Sequence, residues 1–176
     1  MAPVSIKDRF ANRFAMTLTT PAGGALTINE IPTNVNVFSR TAFIIHKLEY
    51  ILNYASYDQI VAAADQICVG LVNSINVASI LDNIAWVHDP SIIDVMEVCA
   101  DLHGAAANMN IRQSPIVHDF GAMPGGGLLC AARPLYMAIQ ANSIAGAVQC
   151  FVRGWYTQIE MKDDEFIELV DYFRIM

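Results

Sequence analysis

Between Ala147 and Glu160 the chain reads AVQCFVRGWYTQIE and alternates residue by residue, the period of a β-strand. Val148, Cys150, Val152, Gly154 and Tyr156 fall on one side. Phe151, Trp155 and Ile159 fall on the other, interleaved with Gln149, Arg153 and Thr157. A strand with one face in water alternates apolar and polar cleanly. Here the second face keeps three large apolar side chains around an arginine, and Trp and Arg are typical interface anchors. The pattern predicts a contact between copies of the chain, with Phe151, Arg153, Trp155 and Ile159 as subunit-interface candidates. The competing reading is that a closing helix covers the same face.

Other segments share the period. RFAMTLTT (13–20) puts Phe14, Met16 and Leu18 opposite Thr17 and Thr19; Pro21-Ala22-Gly23-Gly24 makes a turn, and ALTINEI resumes, which predicts a hairpin. Pro32 to Asn36 breaks the pattern, and TAFIIHKLEYILN (41–53) forms a longer strand with Lys47 and Glu49 on one face. Residues 58–74 are ambiguous: Ala62, Ala63 and Ala64 favour helix, whereas Ile67, Val69 and Leu71 favour strand. Asp89-Pro90 forces a break, a loop is expected around 105–115, and IVHDF (116–120) and LLCAARPLYMAIQA (128–141) read as strand-like. Near the end, Phe166, Leu169, Val170 and Phe173 recur at helical spacing behind Asp163, Asp164 and Glu165, which suit a helix N-terminus. Seven or eight strands with closely spaced turns and one terminal helix point to an antiparallel sandwich or barrel.

Composition supports an outward-facing apolar surplus. The 176 residues are 55% hydrophobic and only 15% charged, enough for one domain, 1–176, with more apolar surface than its interior absorbs. The net charge of −7 and the lack of a basic cluster argue against direct nucleic-acid binding. The start MAPVSIKDRF has no signal-like apolar core. The uncharged run 134–152 carries Gln140, Asn142, Ser143 and Gln149, which suits two strands joined at Asn142–Ser143 better than a membrane helix. Cys68, Cys99, Cys130 and Cys150 have neither disulfide-scaffold density nor a CxxC pair, and free, buried thiols are expected.

Reactive chemistry finds little support in the spacing. His46, His88, His103 and His118 are isolated; a helical 92–103 would pair Cys99 with His103 but offers only two ligands, so no metal or cofactor is expected. The pairs His88-Asp89 and His118-Asp119 point to opposite faces if they lie on strands. Gly125-Gly126-Gly127 lacks the Lys-Ser/Thr of a phosphate loop, and the 163–165 carboxylates suit a helix cap better than a cation site. An enzyme is not expected.

The run PLYMAIQANSIAGAVQCFVRGWYTQIEMKDDEFIELV from Pro134, with its Asn-Ser turn, aromatic-bearing strand and acidic-apolar close, resembles the last strands and tail of single jelly-roll capsid proteins. These belong to icosahedral double-stranded DNA viruses of bacteria and archaea. EIPTNVNVFSRTAFIIHKLEYIL is similar to their early strands. The resemblance implies an all-β fold, an eight-stranded antiparallel jelly-roll sandwich with a short C-terminal helix; an inserted helix is the alternative reading of the alanines in 58–102. It further implies a structural coat protein that self-assembles into an icosahedral shell in the virion, built in the host cytoplasm. Its partners would be other copies of itself and a second capsid protein, over an internal viral membrane in some members. A jelly-roll or barrel binding module with an apolar ligand pocket is the alternative function.

Overall fold

The computed structural model describes residues 5–6, 11–32, 41–53, 56, 65–81, 86, 88–99, 115–123, 125–131, 134–142, 144, 146–162, 164 and 167. Among them are ten strand segments: β1 (Ser5–Ile6), β2 (Asn12–Thr19), β3 (Thr27–Glu30), β4 (Thr41–Leu52), β5 (Gln66–Val72), β6 (Ile92–Cys99), β7 (Ile116–Asp119), β8 (Leu128–Ala131), β9 (Tyr136–Asn142) and β10 (Gln149–Glu160). All described pairings are antiparallel. β1 and β2 lie along one side of β10, β4 lies along its other side, and β7 and β8 lie along the far side of β4. The second sheet runs β3-β9-β5-β6. With β1/β2 and β7/β8 each filling one place, the segments occupy eight strand positions in two four-position sheets. Most successive strands cross from one sheet to the other, and the result is an antiparallel jelly-roll sandwich.

That crossing overturns the expected hairpin. β2 pairs with β10 and β3 pairs with β9, so the strands on either side of the Pro21–Gly24 turn lie in opposite sheets. The turn itself is as read: Gly23 and Gly24 have positive φ, and a side chain at Gly24 would collide with the Ala141 carbonyl, whose own N–H donates to Gly24 O at 2.8 Å. β9 and β10 likewise follow one another without pairing.

Between the sheets, Phe14, Leu18, Phe43, Ile45, Leu48 and Tyr50 of one meet Ile67, Val69, Leu71, Met96, Met137 and Ile139 of the other. The inward side of β10 is the continuous apolar side read from the sequence, with Val148, Cys150 and Val152 fully buried. Gly154 sits in that row because the Phe14 ring occupies the space a β-carbon would need. Tyr156 then packs edge-on against Phe43, with ring centroids 5.3 Å apart.

A second cluster lies on the outward face of the β3-β9-β5-β6 sheet. Cys68, Val72 and Ala138 are covered there by Val77, Ile80, Leu81 and Trp86 from the segment after β5. This strap is tied down by polar contacts: Gln140 Oε1 accepts from Ile80 N at 2.8 Å and from Ser79 Oγ at 3.0 Å, and Trp86 Nε1 donates to Ile80 O at 2.8 Å. Because β5 is buried on both faces, its sequence QICVGLV is a continuous apolar run, which explains the ambiguous pattern in 58–74. Ala62 to Ala64 and the loop expected at 105–108 lie outside the described residues, as do Phe166, Leu169, Val170 and Phe173 of the expected terminal helix. Asp164 and Ile167 are helical and exposed. No helix among the described residues is long and apolar enough to cross a membrane.

Candidate docking face

The outward face of the β2-β10-β4 sheet carries no comparable strap among the described residues. Strand register sets its composition row by row. Phe151 stands between Thr17 of β2 and Ile51 of β4; Arg153 between Ala15 and Glu49; Trp155 between Arg13 and Lys47. β7 extends the last two rows, setting Val117 beside Glu49 and Asp119 beside Lys47. Phe151 is 40% and Val117 43% exposed in the isolated chain. Between Phe151 and Arg153 the surface dips into an open depression of about 420 Å³ lined by Ala15, Met16, Thr17, Ile51, Phe151, Val152 and Arg153.

The charged half of the face is internally organised. Glu49 accepts from Lys47 Nζ at 2.7 Å and from Arg153 at 3.1 Å, while Lys47 Nζ lies 5.0 Å from the centre of the Trp155 ring. Lys47 and Arg153 are well exposed while Glu49 is mostly covered; pairs whose cations stay in solvent are worth about 1 kcal/mol each, so they orient the side chains more than they stabilise the fold. Arg153 Nε is buried without a hydrogen-bond partner, a donor left over beside the apolar depression.

A bulge shapes this face. Trp155 pairs with Lys47, but Tyr156 pairs with Ile45, so His46 is the extra residue on β4. It lets Ile45 and Leu48 both point inward while His46 and Lys47 stay at the surface. His46 is held by Gly126 O at 2.9 Å from Nδ1 and by Thr157 Oγ1 at 2.9 Å from Nε2, which pins the glycine-rich turn to β10. The glycines therefore serve a strand connection.

Of the four interface candidates, the structure brings Phe151, Arg153 and Trp155 together on the open face. Ile159 differs from them. Beyond the bulge it is only 6% exposed in the isolated chain, so it lies apart from the open row of the other three. The residues that period alone missed are those supplied by neighbouring strands: Ala15, Thr17, Ile51, Glu49 and Val117. The Lys47/Glu49 pairing on one face was the available signal.

The expected buried thiols also need one correction. Cys68, Cys130 and Cys150 are buried and free, but Cys99 is exposed at the end of β6. Burial pushes the thiols of Cys68, Cys130 and Cys150 up to about 12, the reverse of what a nucleophile requires. No group of three or more metal-ligating side chains occurs among the described residues. His103, the second half of the Cys99 pair, lies outside them. His118 does not use Asp119. Its Nδ1 donates to Asp94 of β6, 2.8 Å from Oδ2, and Tyr50 OH donates to the same oxygen at 2.6 Å.

No protein-family model matches the chain, and no curated protein matches it. Among solved structures it is similar to a chain from tomato aspermy virus, at 12% identity over 86% of this chain and 80% of that one, with a TM-score of 0.45. It is also similar to VP1 of Merkel cell polyomavirus, solved in complex with GD1a oligosaccharide, at 8% identity over 91% of this chain and 99% of that one, with a TM-score of 0.46.

Proposed function

We propose that the chain is a structural coat subunit of a virus, acting by self-association through the outward face of the β2-β10-β4 sheet. The observation that carries this reading is the half-open apolar row of Phe151 and Ile51, whereas on the other sheet the outward Cys68, Val72 and Ala138 lie under the chain's own strap. The double-sheet jelly roll is an architecture that recurs in viral capsids. A rigid sandwich with one bare face repeats a contact under symmetry, and an icosahedral shell closes by such repetition. Phe151 contributes roughly 1 kcal/mol per copy when its remaining surface is covered, so the contact is built from several such residues and from Arg153 and Trp155 at its polar end.

On this reading the partners are further copies of the chain and a second coat protein, the site of action is the virion of a bacterial or archaeal double-stranded DNA virus, and assembly takes place in the host cytoplasm. The net charge of −7 suits a shell that leaves its genome untouched, separated from it by an internal membrane. Electron microscopy of the natively expressed full chain tests the proposal. Closed particles containing the chain are expected, and a chain that stays monomeric at the highest attainable concentration overturns it.

A further inference from the structure

Tyr50, Asp94 and His118 come from three strands in two sheets, yet all three meet at one carboxylate. Tyr50 points inward from β4 and is 1% exposed. Asp94 shares the inward side of β6 with Met96 and Val98, at the edge of the other sheet. His118, opposite Leu48, points inward from β7. Its Nδ1 lies 2.8 and 3.0 Å from the two Asp94 oxygens, and its ring meets the Tyr50 ring edge-on, with centroids 5.2 Å apart. A carboxylate, a phenol and an imidazole therefore cross the sandwich where apolar packing would otherwise do so.

The crossing matters most for β7. That strand has four residues and, among the described residues, pairs only with β4, a single short ladder that holds weakly by itself. Its tie to β6 is the described polar contact that joins it to the opposite sheet. We propose that Tyr50, Asp94 and His118 form a protonation-controlled latch that clamps β7 to β6 while His118 is charged and loosens when it becomes neutral.

The surroundings fit this role. Among the described residues, the titratable or charged groups facing His118 are Tyr50 from β4 and Asp94 from β6. Lys47, Glu49 and Asp119 lie on the outward side of the same sheet, and Glu97 is engaged by Gln66 at 2.5 Å on the outward side of β6. Cys150 of β10 lies on the same inward side as Tyr50 and adds a minor upward effect on it. Burial, with Asp94 second, holds the Tyr50 phenol well above its ordinary range, so it remains a neutral donor to the carboxylate. The hydrogen bond to Asp94 raises His118 above the ordinary imidazole value, against an opposing effect of burial. A raised folded-state value means that the latch contributes fully below the unfolded imidazole value, about 6.5, and is lost as pH rises through the folded one.

The consequence for assembly rests on the docking reading: β7 carries Val117, the far edge of the docking face, so alkaline release of β7 would loosen self-association.

Two measurements on dilute full-length protein test the latch. NMR titration of the His118 ring is expected to show a midpoint above about 6.5 that falls to that value or below in Asp94→Asn. The melting-temperature gap between wild type and His118→Gln is expected to be widest near pH 6 and to shrink as pH passes the midpoint, over the range where histidine titrates. A midpoint at or below the ordinary value, or a gap that does not change with pH, overturns the latch. If His118→Gln does not fold, the titrations of wild type and Asp94→Asn decide alone. Self-association that ignores pH while both latch readouts hold counts against the docking face and leaves the latch standing.

Discussion

The two sheets of this sandwich treat their outward faces differently. On the β3-β9-β5-β6 side the chain folds back after β5 and lays Val77, Ile80, Leu81 and Trp86 over Cys68, Val72 and Ala138. Gln140 supplies the acceptor that fixes the strap in register. On the β2-β10-β4 side the same kind of apolar row, Phe151 with Ile51, stays open beside an ion-paired rim of Glu49, Arg153 and Lys47. A sheet face with large apolar side chains has to be covered by something. The strap shows what covering by the chain itself looks like; on the proposed reading, a second copy covers the open face.

Breaking the strap should give the largest effect on folding. Ile80 is fully buried, and Ile80→Ala is expected to cost about 2–3 kcal/mol, the lower part of the range for such truncations because the cluster lies near the surface. Cys68 lies beneath it. In the native wild type only Cys99 should react promptly with a thiol reagent, and the Ile80→Ala variant should expose Cys68 to labelling as well; equal protection of Cys68 in both would mean that the strap does not cover it. Gln140→Leu comes next. It leaves the Ile80 N–H without its acceptor, at about 1–3 kcal/mol, measurable by urea denaturation.

The asymmetry between the faces also decided what could be read from the residues alone. β10 was plain because one face is core and the other is mixed, so the two-residue period survives; β4 was read from its Ile- and Tyr-rich composition, its period being broken by the bulge at His46. β5 lost its period because the strap buries its second face, and no local feature announces a strap. The hairpin expected across Pro21–Gly24 failed for another reason: turn chemistry specifies that the chain reverses, but not which strand it pairs with on return. Phe151, Arg153 and Trp155 were legible as one outward row. Their neighbours Ala15, Thr17, Glu49 and Ile51 were not, since strand register is settled by contacts far apart in the chain. The same holds for His118, whose adjacent Asp119 faces away from it, and whose actual partner is Asp94 in the other sheet. Ile159 continued the period on paper but lies past the bulge, where the chain covers it.

A smaller effect sharpens the comparison at its charged rim. Glu49→Gln removes the carboxylate that Lys47 and Arg153 share, and is expected to change stability by about 1 kcal/mol. It should nevertheless weaken self-association and reduce its salt dependence, read by light scattering across a salt series. Salt dependence equal to that of the wild type would remove the rim from the contact.

Phe151→Asp bears most directly on the open face as the place where copies meet. Its side chain is 40% exposed and belongs to neither buried cluster, so the substitution is expected to cost about 1–2 kcal/mol and to leave the chain folded. Sedimentation equilibrium of the two proteins over the same concentration range is the measurement. Association by the wild type with a monomeric, fully folded Phe151→Asp is the expected result; equal association by both would contradict a contact made through this face.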